Sequence, residues 1–391
     1  MNFFTFSSDP HRRFVLWLLV FVWMSVAGLF ILGVYFQPLY GDLTRIGNFT
    51  EREFGWNRPQ RTFLHTKLDF PGSDKSGKYG DYYDVLVLGD SFSNVRPEFQ
   101  WQNYLAASSG WTVATLNINR VRLQQILTSR TFLEHPPKVL VFESVERELP
   151  NHLMENNLNS NLKIQNHKQS IDNLVRIDDS PKTEDKIPGQ IFLIYRNTPL
   201  KEIKIDYVWK LIWNNVLRNF GINSSPYVYK LPLIKSAPFS SRNQREILVY
   251  KDDLQKVKIW NHDELFVMND YIKELRSIVE SNGYTRFVLM VVPDKLSAYS
   301  DYLKDIKLRN ISLLSGLSDL QPDTMPRFDN TLISEINAGK MDVYLPDDTH
   351  WGSAGQCIAA NTLTAFLLPS IHGSTGGSAT NKNILRPNQC F

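Results

Sequence analysis

"YDVLVLGDSFSNVRP", residues 83–97, sets a short apolar run directly against Gly-Asp-Ser. A continuous Val/Leu run that stops at a glycine reads as a strand buried on both faces, the kind found in parallel sheets. Ser91 then stands at its carboxyl end, as a nucleophile or as a polar residue in a turn. Downstream, "EFQWQNYLAASSG" (98–110) predicts a helix between Pro97 and Gly110, and "WTVATLNI" (111–118) a second strand. "RLQQILTSRTFLEH" (122–135) predicts one helix cut off by Pro136-Pro137, and "KVLVFES" (138–144) a third strand. Strands alternating with helices make βαβ units and a parallel sheet.

From about Pro150 to Arg245 the rhythm breaks into a stretch rich in Asn, Lys and Ser, which reads as an insertion with one helix at "IDYVWKLIWNNVLRNFG" (205–221). It returns with the amphipathic "DELFVMNDYIKELRSIVESNG" (263–283), the strand "RFVLMVVPDK" (286–295), "MDVYLPDDTHW" (341–351) and a last helix at "AGQCIAANTLTAFL" (354–367). Residues 37–80 read as a juxtamembrane stretch, with "FPGSDKSGKYGD" as loop, and the Gly- and Ser-rich tail from Pro369 as flexible.

The name juxtamembrane rests on the N-terminus. "FVLWLLVFVWMSVAGLFILGVYF", Phe14–Phe36, carries no charge. At about 1.5 Å per residue it spans a hydrocarbon core of roughly 30 Å. His11, Arg12 and Arg13 precede it, so the positive-inside rule leaves residues 1–13 in the cytoplasm and the rest outside, in a bacterium the periplasm. Ser25-Val26-Ala27 fits a cleavage site, but the apolar run continues well past it, which favours an uncleaved signal anchor in the inner membrane. Over 391 residues, 42% of them hydrophobic, the formal charge is only +3, which gives no electrostatic case for nucleic acid. The two cysteines, Cys357 and Cys390, form no metal-ligand spacing but could pair outside the cytoplasm.

Ligands bind at the carboxyl ends of parallel strands. Four segments fall on that rim: Gly89-Asp90-Ser91, Glu143 to Arg147, Pro293-Asp294-Lys295 and Asp347-Asp348-Thr349-His350. A serine hydroxyl needs a base to take its proton, and the base needs a third group to hold its tautomer. Ser91, His350 and a carboxylate supply that set, with Glu143 and Glu146 as further candidates for the orienting group. Gly-Asp-Ser alone is a weak signal, and His350 has seven rivals, of which His135 precedes a strand and His11 precedes the anchor. Asp348 and His350 lack further ligands at a recognisable metal spacing, so no metal is expected. Lys295 reads as a rim charge, and Glu146-Arg147 reads equally as a surface ion pair.

"GDSFS" followed late in the chain by "DTHW" resembles the SGNH (GDSL-like) hydrolase superfamily, and more narrowly the alginate O-acetyltransferase branch, the AlgJ- and AlgX-like proteins. "VLVFESVER" and "VVPDKLSAY" are similar to that branch's strand-end segments, and the resemblance covers about 81–149 and 262–367. It implies a flavodoxin-like α/β/α SGNH fold with a parallel sheet, here preceded by a transmembrane helix and interrupted by an insertion. The expected layout is a cytoplasmic tail (1–13), an anchor (14–36), a juxtamembrane segment (37–80), an SGNH domain in two parts (81–149 and 246–368), an insertion (150–245) and a tail (369–391). By motif match the resemblance implies Ser91 as nucleophile and His350 as base. The acetyltransferase branch spaces the acid as Asp348, whereas general SGNH enzymes space it as Asp347. Asn117 or Asn119 could serve the oxyanion hole, and Arg147 could bind substrate.

No cofactor is expected. The implied partners are a polysaccharide acceptor and a membrane-bound acyltransferase that supplies acetyl groups. The serine precedes the histidine, as in ordinary SGNH enzymes, whereas the alginate proteins place Asp-x-His first. A carbohydrate esterase is therefore the nearest alternative. A non-catalytic glycan-binding scaffold, suggested by the aromatic-rich insertion, is a third.

Overall fold

The computed structural model describes residues 9–35, 41–69, 82–94, 96–156, 192–194, 205–222, 225, 227–256, 260 and 262–372. Its strands are β1 (Gln60–Thr62), β2 (Leu68–Asp69), β3 (Val85–Gly89), β4 (Val113–Asn117), β5 (Val139–Val145), β6 (Phe192–Ile194), β7 (Val228–Pro232), β8 (Glu246–Tyr250) and β9 (Arg286–Val292). The central sheet has the order β2-β4-β3-β5-β9, and every pair in it is parallel. Counted from β3, the four full strands run 2-1-3-4, the flavodoxin-like order, with the short β2 added at one edge. Two antiparallel pairs, β1 with β6 and β7 with β8, lie outside it.

The apolar runs are continuous because both faces of the sheet are covered. Val85, Val87, Val139, Val141, Val288 and Met290 pack on one side with Trp101, Leu105 and the last helix, Ser353–His372. Leu86, Leu88, Leu140, Phe142, Phe287 and Leu289 pack on the other with Ile126, Phe132, Ile272 and Leu275. Successive residues of a strand point to opposite faces, so each run feeds both cores in turn. Each such side chain, fully buried, contributes about 1.5–3 kcal/mol.

The helices follow their punctuation. Trp101–Ser109 ends at Gly110, whose φ of 72° is left-handed, and His262–Val279 ends after a short 3-10 turn at Gly283, φ 68°. The expected single helix over 122–135 is instead two, Leu123–Leu127 and Arg130–Glu134. Ser129 causes the break: its Oγ accepts from the Phe132 N–H at 3.2 Å and so caps the second helix.

The juxtamembrane segment is more structured than expected. Asp42–Gly47 and Glu51–Phe54 are short helices, and Leu43, Phe49 and Phe54 form a small core with Val228 and Leu248 of the β7–β8 pair. The expected loop at 70–81 lies outside the described residues. The insertion holds the expected helix, Ile205–Asn219, and β7, which pairs with β8 across the expected boundary at residue 245. The N-terminal helix Asp9–Tyr35 contains one stretch, Pro10–Gly33, long and apolar enough to cross a membrane. The last helix reaches His372, past the expected start of the tail.

Candidate active site

Ser91 sits in the turn that follows β3, and the residues around it explain the Gly-Asp-Ser sequence. A side chain at Gly89 would collide with the Glu143 carboxyl, since a Cβ there would lie 2.5 Å from Oε2. That carboxyl accepts from the Asp90 N–H at 2.9 Å and from the Ser93 hydroxyl at 2.8 Å. Asp90 in turn accepts from the Phe92 N–H at 2.9 Å and from the Val145 N–H at 2.7 Å, which ties the turn to the neighbouring strand. Burial and the nearby Asp90 charge raise the Glu143 pKa well above the usual carboxylate value. Ser91 itself is exposed at the top of this locked turn.

His350 arrives on a loop that folds back on itself. Tyr344 and Trp351 form an isolated antiparallel bridge, and the Leu345 N–H donates to the His350 carbonyl at 3.1 Å. Lys295, buried at the start of a helical turn after β9, donates to the carbonyls of Leu345 at 2.7 Å, Pro346 at 3.0 Å and Asp348 at 3.0 Å. It thereby pins the loop from below. Burial lowers its pKa to about 8, against the pull of the surrounding carboxylates. Phe92 packs 4.9 Å from the His350 ring and 5.1 Å from the Trp351 ring, centroid to centroid. The residue after Ser91 thus buttresses the imidazole.

The loop brings Ser91 and His350, 259 positions apart in sequence, within 2.9 Å, Oγ to Nε2. His350 Nδ1 lies 2.7 Å from Asp348 Oδ1, which also accepts the His350 backbone N–H at 3.0 Å. With Nδ1–H donated to the carboxylate, Nε2 is the acceptor that faces the Ser91 hydroxyl. Burial pulls the His350 pKa down, but the Asp348 charge and hydrogen bond outweigh it and the net direction is up. Burial raises the Asp348 pKa, but the imidazole prevails and holds it below the usual range. A serine, a base and an orienting carboxylate in this geometry can take the serine proton and hold it through acyl transfer.

Asp347 packs toward the segment before β1 rather than the last helix. Its backbone carbonyl accepts from the N–H groups of Leu43 at 3.1 Å and Thr44 at 3.2 Å. Its carboxyl is buried beside Glu51, and burial together with the Asp348 charge raises its pKa to about 7. The N–H of Ser353, the first residue of the last helix, donates instead to Gln60 Oε1 at 2.8 Å.

Sequence reasoning missed Asp42. Its Oδ1 accepts the Thr349 N–H at 2.9 Å, and its Oδ2 lies 3.9 Å from His350 Nδ1. Burial and the adjacent Asp348 charge raise its pKa to about 7, so near neutrality a large share of it carries a proton that it can donate to Asp348. The one local signal was Gly41: a Cβ there would lie 2.5 Å from the Asp347 carbonyl. Asp42, Asp348 and His350 also present ligand atoms within 4.8 Å of one another, which a divalent cation could accept. Such a cation would displace the hydrogen bond between Asp348 and His350.

The remaining rim residues fall elsewhere. Asn117 is paired in register with Gly89, one strand over from Ser91, and its Oδ1 accepts the Asn119 N–H at 2.9 Å. Neither asparagine side chain is hydrogen-bonded to Ser91 among the described residues. Arg147 turns into the domain, with ion pairs to Asp294 at 2.7 Å and Asp253 at 3.2 Å. Lys256 binds Glu146 at 2.8 Å and Asp294 at 3.0 Å in the same buried network. Glu143 and Glu146 are thus committed to other partners, one beneath the serine turn and one to Lys256. Cys357 is disulfide-bonded, and Cys390 lies outside the described residues.

A flavodoxin-like sheet with a Gly-Asp-Ser turn after its first full strand and an Asp-x-His loop before its last helix is the arrangement of an SGNH hydrolase-like domain. Residues 261–386 match the family model of the SGNH hydrolase-like domain of acetyltransferase AlgX, so this part of the chain is similar to that AlgX-like branch. The match covers Asp348 and His350 but not Ser91. No curated protein and no solved structure gives a match.

Proposed function

We propose that this protein is a membrane-anchored, extracytoplasmic O-acetyltransferase that esterifies a polysaccharide through an acetyl-serine intermediate. The observation that carries this reading is the continuous chain from Ser91 Oγ to His350 to Asp348, at 2.9 Å and 2.7 Å, on an exposed rim. The likeness of residues 261–386 to an acetyltransferase domain supports acetyl transfer in preference to hydrolysis, and an N-terminal helix long and apolar enough to cross a membrane supports the anchor.

In the first half-reaction Ser91 Oγ attacks the acetyl carbonyl of a donor ester while His350 Nε2 takes the hydroxyl proton. The tetrahedral intermediate collapses, the proton passes to the leaving oxygen, and Ser91 holds the acetyl ester. In the second, His350 takes the proton of a sugar hydroxyl, which attacks the same carbonyl. Collapse then releases the acetylated sugar, and His350 returns the proton to Ser91. Asp348 holds the tautomer and stabilises the imidazolium at both steps. The Ser91 N–H and Asn119, whose exposed side chain is on the same rim, are the donors we assign to the developing oxyanion. The acetyl donor is assigned to a membrane-bound acyltransferase partner. The test is incubation of the protein with a soluble acetyl ester and oligosaccharides. Acetylated sugar detected by mass spectrometry is the expected result. Acetate release alone would make the protein an esterase, and inertness to both would leave a glycan-binding scaffold.

A further inference from the structure

The helix Ile205–Asn219 has two apolar faces, and the fold uses only one. Tyr207, Val208 and Leu211 are buried, and the Tyr207 hydroxyl donates to the Phe49 carbonyl at 2.8 Å. Arg218 fixes the other end: it donates to the carbonyls of Gly47 and Asn48, at 2.6 Å and 3.2 Å, and lies 3.8 Å above the Phe49 ring. The opposite stripe is exposed: Trp209 62%, Trp213 54%, Val216 41% and Phe220 78%. Spacings of three and four residues place these on one side of the helix. Two tryptophans and a phenylalanine facing water in a row are costly unless something covers them.

The membrane-spanning helix says what covers them. It packs against Ile205–Asn219. Its shielded residues are confined to its far end, at Gly28, Leu29, Leu32 and Gly33, while the rest of the apolar stretch is open. The exposed stripe therefore lies beside the point where the span leaves the bilayer. Trp and Phe favour that depth, where an apolar ring meets the headgroup boundary. Asp206 and Lys210 form a loose exposed ion pair at 3.9 Å, so the helix has little net charge with which to seek an anionic protein surface.

We propose that Ile205–Asn219 is an interfacial helix whose Trp209, Trp213, Val216 and Phe220 face beds in the outer boundary of the bilayer that holds the N-terminal span. The attraction is apolar, so it requires no particular lipid headgroup. The consequence for the site is geometric. The helix grips Gly47, Asn48 and Phe49, and the same segment carries Asp42 to the catalytic loop. Docking fixes the height and tilt of Ser91 above the membrane, where a donor partner embedded in the bilayer would present its acyl group. This inference rests on the anchor reading, and its test is separable from both anchor and activity.

The full chain is reconstituted in phosphatidylcholine vesicles with single labelling cysteines, Phe220→Cys in the stripe, Trp23→Cys in the span and Leu133→Cys as an exposed site on the domain. Each carries an environment-sensitive fluorophore, and quenching by shallow and deep lipid nitroxides is compared with quenching by aqueous iodide. The Phe220 label is expected to be quenched by the shallow nitroxide several-fold more than the Leu133 label, and to be protected from iodide. A Phe220 label that behaves like the Leu133 label overturns the proposal, whatever the Trp23 label reports. So does a stripe label that stays in water and shifts its emission with soluble oligosaccharide, which would mark a glycan-binding face. Quenching at Phe220 without quenching at Trp23 keeps the interfacial helix and removes the span.

Discussion

Replacing Asp348 by Asn tests how the imidazole is held. Asp348 Oδ1 accepts both the backbone N–H and the ring Nδ1–H of His350, at 3.0 Å and 2.7 Å, so an Asn carbonyl in its place can keep the tautomer. What it loses is the charge. In a serine-histidine-aspartate site this change costs about 10⁴ in kcat when the wrong tautomer is also selected, so that figure is the ceiling here. Here Asp42 Oδ2 stands 3.9 Å from the same nitrogen. Its pKa is about 7 because of burial and the Asp348 charge. Removing that charge lets Asp42 ionise near neutral pH and face the imidazolium. Two charges about 4 Å apart are worth about 4 kcal/mol at an effective dielectric of 20, less on a part-exposed rim. A recovery of about 1.4–3 kcal/mol is a factor of about 10–10². Asp348→Asn alone should therefore lower kcat/KM by about 10²–10³, and Asp42→Asn with Asp348→Asn by more, up to about 10⁴. Asp42→Asn alone imitates the protonated acid and should cost less than about tenfold at pH 7. The assay is turnover of a chromogenic acetyl ester by all three variants and by Asp347→Asn. A double variant no worse than Asp348→Asn refutes the backup role of Asp42. A loss for Asp347→Asn equal to that for Asp348→Asn refutes the assignment of the orienting carboxylate.

Lys295→Met leaves the carbonyls of Pro346 and Asp348 without a donor, while the Leu345 carbonyl keeps the Asp348 N–H. Unpartnered carbonyls cost about 1–3 kcal/mol each and relief of ammonium burial returns part. The expected loss is about 2–4 kcal/mol by denaturant unfolding, with kcat falling more than KM rises. Asp42 and Asp347 have folded pKa values near 7, above the ordinary value of 3.8, so their contribution to stability is complete only below 3.8 and is lost progressively as the pH rises from there through 7. Melting temperatures should fall over that window, and Asp347→Asn, which cannot ionise, should flatten the slope; an unchanged slope would contradict the assignment. Activity requires neutral His350, whose pKa is raised, so the acid limb of kcat/KM should lie above the ordinary histidine value and drop in Asp348→Asn. Zn²⁺ should inhibit reversibly by taking Asp42, Asp348 and His350, and a chelator should restore rather than abolish activity.

The sheet was legible because β3, β4, β5 and β9 are apolar on both faces, a pattern that needs no knowledge of the partner. The Ser91 turn was legible from Gly-Asp-Ser at a strand end, although the Glu143 and Val145 that lock Asp90 lie 53 and 55 positions away. Asp348 and Asp347 were not separable, because adjacent carboxylates differ only in which way the loop turns them. That is decided by Lys295 and by the Leu43 and Thr44 amides, far away in sequence. Asp42 was invisible because its partner Thr349 is 307 positions distant. Arg147 was read as a substrate-binding residue or a surface ion pair with Glu146 because the sequence shows the charge and not the buried Asp253 and Asp294 that take it up. The break at Ser129 was obscured by helix-forming residues on both sides.

The most direct measurement is mass spectrometry of the peptide that contains Ser91, after the protein meets an acetyl ester with no acceptor present. The account predicts one acetyl group on Ser91 in the wild-type protein, lost when oligosaccharide is added. Ser91→Ala should stay unmodified at that position and inactive with its fold intact. Turnover by Ser91→Ala near the wild-type rate, or an acetyl group found on another side chain that the sugar then removes, would contradict it.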